Sequence, residues 1–290
     1  MTLMPYEVSD KEIEYLDEML KDINGDISVS MSYVRRAQGL TFEQLGEKFS
    51  GINVSTIKRY MQQSYPSIRP IHLVAAMSWV MMVPMTSFYY GFRLKEYYRG
   101  MDDDAVQALM CVGRLPSNQF EHIVSLIRNL LDTDQNQHIS SYCKDLESEF
   151  GSIDNYDDLF PPQVLDLDAF AMDYYRSIAI TVKIFREKND ITKETIARVL
   201  GLSSYQYDLL EDQYKTTSFP VAIGFRVKLG FKLASHVNFT SEMRMFPEFH
   251  ELRKAQQFRD ALIIEVLRHV PAKHKPHVIN LLLEIAKIYI

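Results

Sequence analysis

Residues 186–211, REKNDITKETIARVLGLSSYQYDLLE, lie on residues 35–61, RRAQGLTFEQLGEKFSGINVSTIKRYM, with one extra residue, Ser50, in the earlier copy. A chain that carries one pattern twice is expected to build one unit twice, and this limits its folds more than any composition figure. In this register Arg35 meets Arg186, Thr41 meets Thr192, Leu45 meets Ile196, Gly46 meets Ala197, Phe49 meets Leu200, Gly51 meets Gly201 and Ile57 meets Tyr207. The tails repeat as well. LPSNQFEHIVSLIRNLL at 115–131 matches VPAKHKPHVINLLLEIA at 270–286, with apolar positions recurring at helical spacing.

Within the earlier copy, residues 41–61 read as two short helices around a tight turn. Thr41 followed by Gln44 is a capping box, and Leu45 and Phe49 share one helical face. Ser50-Gly51 supplies the left-handed position at which helices stop, and Asn53 is placed to cap the next helix. Ile57 and Tyr60 then point inward, which leaves Val54, Ser55, Lys58 and Arg59 facing out. A small polar start followed by cations suits contact with base edges and phosphates; an ordinary surface helix carrying two basic residues has the same pattern.

The chain has 290 residues, 47% of them hydrophobic, enough for about two packed units. No apolar run reaches bilayer length and the first residues are acidic, so a cytoplasmic protein with no membrane contact is expected. A net charge of −6 argues against indiscriminate nucleic-acid binding. A local patch suffices for specific binding. No acid occurs between Glu47 and Glu96, whereas Lys48, Lys58, Arg59, Arg69, Arg93 and Lys95 all fall near or inside that window. Residues 9–23 read as an acidic amphipathic helix, started by Ser9 with Glu12, for packing or a dimer contact. Residues 132–172 are acidic with one lysine, Lys144, and the Phe160-Pro161-Pro162 break; they read as a connector with one helix near 140–150.

Both copies resemble the lambda-repressor/Cro-like helix-turn-helix domains of the xenobiotic-response-element (XRE) family. The likeness rests on R-R-A-Q-G-L-T, L-G and G-I-N-V-S-T-I-K-R in the first copy. In the second it rests on R-E-K-N-D-I-T, I-A, V-L-G-L-S and Glu211. It implies an all-α chain of two tandem five-helix domains, each followed by a helical tail and joined by an acidic linker. The expected boundaries are 1–131, 132–172 and 173–290. It also implies a sequence-specific transcription regulator of double-stranded DNA, acting as a homodimer. By position, base reading falls to Val54, Ser55 and Lys58, and backbone contact to Thr41, Thr56, Arg59 and Gln62 or Gln63, with Asn53 also counted in the DNA-binding set. The second copy places Ser204, Tyr205 and Asp208 at the base-facing positions, with Lys215, Arg226, Lys228 and Lys232 as cations nearby. Whether that copy reads DNA or serves dimerisation stays open. Two departures stand out: Phe42 replaces a phosphate-touching polar residue, and Met61 replaces the acid that closes the recognition helix.

No phosphate loop, paired-histidine metal motif or partnered nucleophile occurs, so an enzyme, a cofactor and a metal are not expected. His269, His274 and His277 cluster near a helix start without a fourth ligand in view, and Cys111 and Cys143 are too few for a disulfide scaffold. The alternative to DNA binding is a protein-interaction module, antitoxin-like or anti-activator, that keeps the fold and uses its acidic faces.

Overall fold

A computed structural model describes residues 8–89, 107–151, 155–233, 237 and 239–289. The chain is all-α: its described β-structure is a two-residue parallel pairing and one isolated bridge. In order, the helices are α1 (Asp10–Leu20), α2 (Ile23–Ala37), α3 (Phe42–Glu47), α4 (Val54–Tyr60), α5 (Ile71–Val80) and α6 (Ser117–Arg128). There follow α7 (Thr133–Phe150), α8 (Leu167–Lys188), α9 (Lys193–Leu200), α10 (Ser204–Leu210), α11 (Ala222–Gly230), α12 (Pro247–His269) and α13 (Lys275–Ala286). None of the described helices is long and apolar enough to cross a membrane.

The sequence alignment of the two stretches can be followed along the helices. Helices α2 to α5 and α8 to α11 occupy equivalent stretches, and left-handed residues recur at equivalent places: Gly39 and Asp190, Gly51 and Gly201, Met82 and Lys232. Side chains repeat the design where their chemistry differs. Asn24 Oδ1 accepts from Arg69 N at 2.7 Å, and the Tyr175 hydroxyl, one repeat later, accepts from Phe219 N at 3.0 Å. Each contact fixes the chain just before the fourth helix of its unit.

The two units meet at equivalent residues. Pro70 and Pro220 form an antiparallel bridge, in which Ile71 N donates to Phe219 O and Val221 N donates to Arg69 O, both at 2.9 Å. An antiparallel bridge between equivalent residues carries a local two-fold axis, because each strand gives and receives the same bond. The segment leading into each unit then crosses to the other. Helix α1 packs on α11, whereas Leu165–Asp166, just before α8, pairs with Phe49–Ser50 beside the first turn. Trp79 of α5 sits between the halves, 1% exposed, against Phe170, Phe246 and Phe249, with its indole N–H donating to Leu159 O.

Among the described residues the hydrophobic interior forms two clusters. One core runs through both units together, from Leu16 and Ile27 to Tyr207 and Phe249. A second core joins the tails to α7 and α12 and includes Leu109, Phe120, Ile139, Leu262, Ile279 and Leu282. Residues 132–172 therefore include α7, capped by Asp132 with Gln135 and packed on α12, as well as the start of α8. Acidic side chains coat the outer face of α7 while Ile139 and Leu146 are buried, so the composition of a connector conceals an amphipathic helix. Of the two roles expected for α1, packing or a dimer contact, packing is the one seen: its buried face, Leu16 and Leu20, lies on α11 of its own chain.

Candidate nucleic-acid interface

Helix α3 begins with the Thr41–Gln44 capping box, and Gly51 adopts φ +81° in the turn. Asn53 caps α4: its Oδ1 accepts from Thr56 N at 2.8 Å, Thr56 Oγ1 at 3.0 Å and Ser55 Oγ at 2.6 Å. The hydroxyls assigned to base and phosphate contact thus have their protons committed to the cap. A phosphate accepts only, so Thr56 must release Asn53 before it can donate to one.

Burial sorts the outward set. Ser55, Arg59 and Gln62 are exposed, and Ile57 beneath them is fully buried. Val54 is half-buried and leans on α3: a Cβ added to Gly46 would fall 2.5 Å from Val54 Cγ2. Lys58 Nζ pairs with Glu43 Oε1 at 3.1 Å and lies 5.4 Å from the Phe42 ring centroid. Hydrogen bonding from the backbone amide and then from Lys58 holds the Glu43 carboxyl below its usual range.

Arg69 departs from the expected patch. It is 0% exposed, and its guanidinium donates to Tyr60 O at 2.9 Å, Gln62 O at 2.8 Å and Tyr65 O at 3.1 Å, as well as to Ser67 O and Ser28 Oγ. It satisfies the carbonyls left open where α4 ends, and it cannot reach a ligand. Arg93 and Lys95 lie outside the described residues. Among the described residues, the exposed cations of the window are therefore Lys48 and Arg59, while Lys58 is half-buried and paired.

The second unit holds the same frame with different chemistry. Arg186 Nε donates to Glu211 Oε1 at 2.7 Å, the Tyr207 hydroxyl donates to the same oxygen at 2.6 Å, and Lys193 pairs with Asp208 at 2.7 Å. The Glu211 hydrogen bond raises the Arg186 pKa, and burial first, then Glu211, drives the Tyr207 phenol far upward. In the first unit Met61 cannot accept, so Arg35 turns its guanidinium onto Phe42, 4.1 Å from the ring centroid, and donates to Leu40 O. The two departures noted in the sequence, Phe42 and Met61, are thus one exchange: an ion lock traded for a cation over a ring.

On α10, Ser204 and Tyr205 are exposed, Tyr205 by 72%, and Lys215 lies 3.6 Å from Asp212. The other cations expected here are engaged within the chain. Arg226 pairs with Asp17, Lys232 with Glu12 at 3.1 Å, and buried Lys228 donates to Leu233 O. Nothing in the sequence pattern pointed to α1 as their partner, because more than two hundred positions separate Asp17 from Arg226. Comparison of the chain with protein-family models, with curated proteins and with solved structures gives no match.

Proposed function

We propose that the chain is a sequence-specific double-stranded DNA-binding transcription regulator whose first recognition helix, α4, enters the major groove. One observation supports this reading above the others. Two capped helix-turn-helix units are joined through the reciprocal bridge at Pro70 and Pro220, each with the outer face of its second short helix open to solvent. Two half-sites on a duplex call for two such helices, and one chain carries both. Ser55 and Lys58 would read bases, with Val54 offering a methyl edge. Thr41, Arg59 and Gln62 would meet the backbone. In the second unit Ser204 and Tyr205 face the groove, and pairing to Lys193 relieves the repulsion that a bare Asp208 carboxylate would suffer near phosphates.

Binding measured against salt on one selected site tests the assignment. Arg59→Ala is expected to weaken all sequences alike and to lower the salt slope by roughly 0.9 log units per log unit of salt, one phosphate's worth. Lys58→Ala is expected to relax discrimination at one base pair. An equal loss on every sequence from Lys58→Ala would remove the base-reading role. Comparing Tyr205→Ala with Ser204→Ala then asks the same of the second unit: no change from either leaves α10 a non-reader.

A second reading, a protein-interaction module, is favoured by the consumption of cations. Lys58 answers to Glu43, Arg69 is buried, and Arg226 and Lys232 answer to α1. It predicts no duplex binding at low ionic strength, which the same titration reads.

A further inference from the structure

Helices α7 and α12 bring one side chain together with two that lie more than a hundred residues later. His138 projects from α7, and Glu265 and His269 stand one turn apart on α12; their ligating atoms all lie within 4.8 Å of one another. His138 Nε2 is 3.1 Å and His269 Nε2 is 3.3 Å from the same carboxylate oxygen, Glu265 Oε1. Ligand atoms bound about 2.0–2.1 Å from a tetrahedral ion lie roughly 3.3 Å from each other. Both edges already have that length, so two of the three sides of a coordination face exist before any ion enters.

The surroundings hold the three groups in place. The other Glu265 oxygen, Oε2, is taken by Arg268 Nη1 at 2.5 Å, which turns Oε1 toward the two imidazoles and sets the carboxylate for single-oxygen ligation. The His138 ring stacks on Tyr142, 6.4 Å between centroids, and stands edge-on to His269 at 5.1 Å. The Glu265 side chain is 11% exposed while His138 is 53% exposed, so the carboxylate is partly withdrawn from water and the entrance is open on the α7 side. Outer partners of this kind orient metal ligands. The positive charge of Arg268 lowers affinity for a cation as well as orienting the ligand, which places the site among the weaker and exchangeable ones.

We infer that His138, Glu265 and His269 form a binding site for one divalent transition ion of the zinc class, which fastens α7 to α12 and leaves a coordination position for water. Two imidazoles and a carboxylate suit Zn²⁺ and Co²⁺ and disfavour Mg²⁺ and Ca²⁺, which take oxygen ligands. The site differs from the histidine cluster visible in the sequence: only His269 belongs to both.

The test uses the full chain, stripped with chelator and titrated with Zn²⁺ by calorimetry and with Co²⁺ by visible absorption. One ion per chain is expected, with the intense absorption of a tetrahedral cobalt centre and a rise in melting temperature on Zn²⁺ addition. His138→Ala and His269→Ala should each weaken binding by more than roughly tenfold and abolish the rise in melting temperature. Circular dichroism of His138→Ala, a change on an exposed face, confirms that the fold persists. The His274→Ala/His277→Ala double variant should bind as the unaltered chain does. Absence of one-to-one binding, unchanged affinity in His138→Ala, or loss in the double variant would each overturn the site.

Discussion

Gly46 and Val54 show how a single position in one unit constrains its neighbour. The second unit carries Ala197 and Ser204 at the equivalent places, so there a methyl group is accommodated by a smaller residue opposite. Gly46→Ala is expected to cost about 1–3 kcal/mol through overpacking, and Val54→Ser in the same chain to restore most of it. Urea unfolding of the two variants measures both effects; an undiminished loss in the double variant would mean that the backbone at Gly46 matters rather than the space. Arg69→Met should be far more damaging, about 3 kcal/mol or more, because several buried carbonyls lose their donor together. His72 gives the pH dependence. Burial pushes its imidazole from 6.5 down to about 4, and its Nδ1 lies 2.9 Å from the Tyr175 hydroxyl. A histidine depressed by folding takes up its proton more readily once unfolded. Its contribution is complete above about pH 6.5 and lost as pH falls toward about 4. Thermal melts across that window should flatten in His72→Gln.

Among elements, α1 governs the charge of the second unit. Asp10, Glu12 and Asp17 lie against Arg198, Lys232 and Arg226, three cations that would otherwise face solvent or a ligand. The exposed pairs of Asp10 and Glu12 are each worth only about 0–1 kcal/mol, so the double change Asp10→Asn, Glu12→Gln should leave the fold nearly as stable. It should, however, raise the salt needed to elute the protein from heparin; an unchanged elution would mean that α1 screens nothing. Local signals carried the short helices well. Thr41 with Gln44, Ser9 with Glu12 and Asn53 before α4 are contacts between residues three apart, and the chain states them directly. The acidic stretch was harder to read because the buried face of α7, Ile139 and Leu146, is sparse among polar residues and its partner α12 lies a hundred residues away. Arg69 looked like a surface cation for the same reason: its acceptors are carbonyls, which leave no mark in a sequence.

At the scale of the molecule, the all-α class could be read from the sequence and the packing of the helices could not. Equivalent residues announce two units, but the Pro70–Pro220 bridge and the crossing of α1 and Leu165–Asp166 depend on how the units dock. Trp79, the single tryptophan, sits at that docking surface and gives it an optical probe. Because one core passes through both units, the tryptophan emission shift and the loss of helical circular dichroism from the duplicated units are expected to coincide in denaturant. Emission that moves first would reveal halves able to part while still folded. The bridge has a further consequence that lies in its prolines. The bonds are made by their neighbours, Ile71 and Val221; a slip of one residue would call on proline amide hydrogens that do not exist, so this registration is favoured over the adjacent ones. Two copies tied together in this way never have to find each other in dilute solution, and each is free to drift in sequence without a matching change in the other.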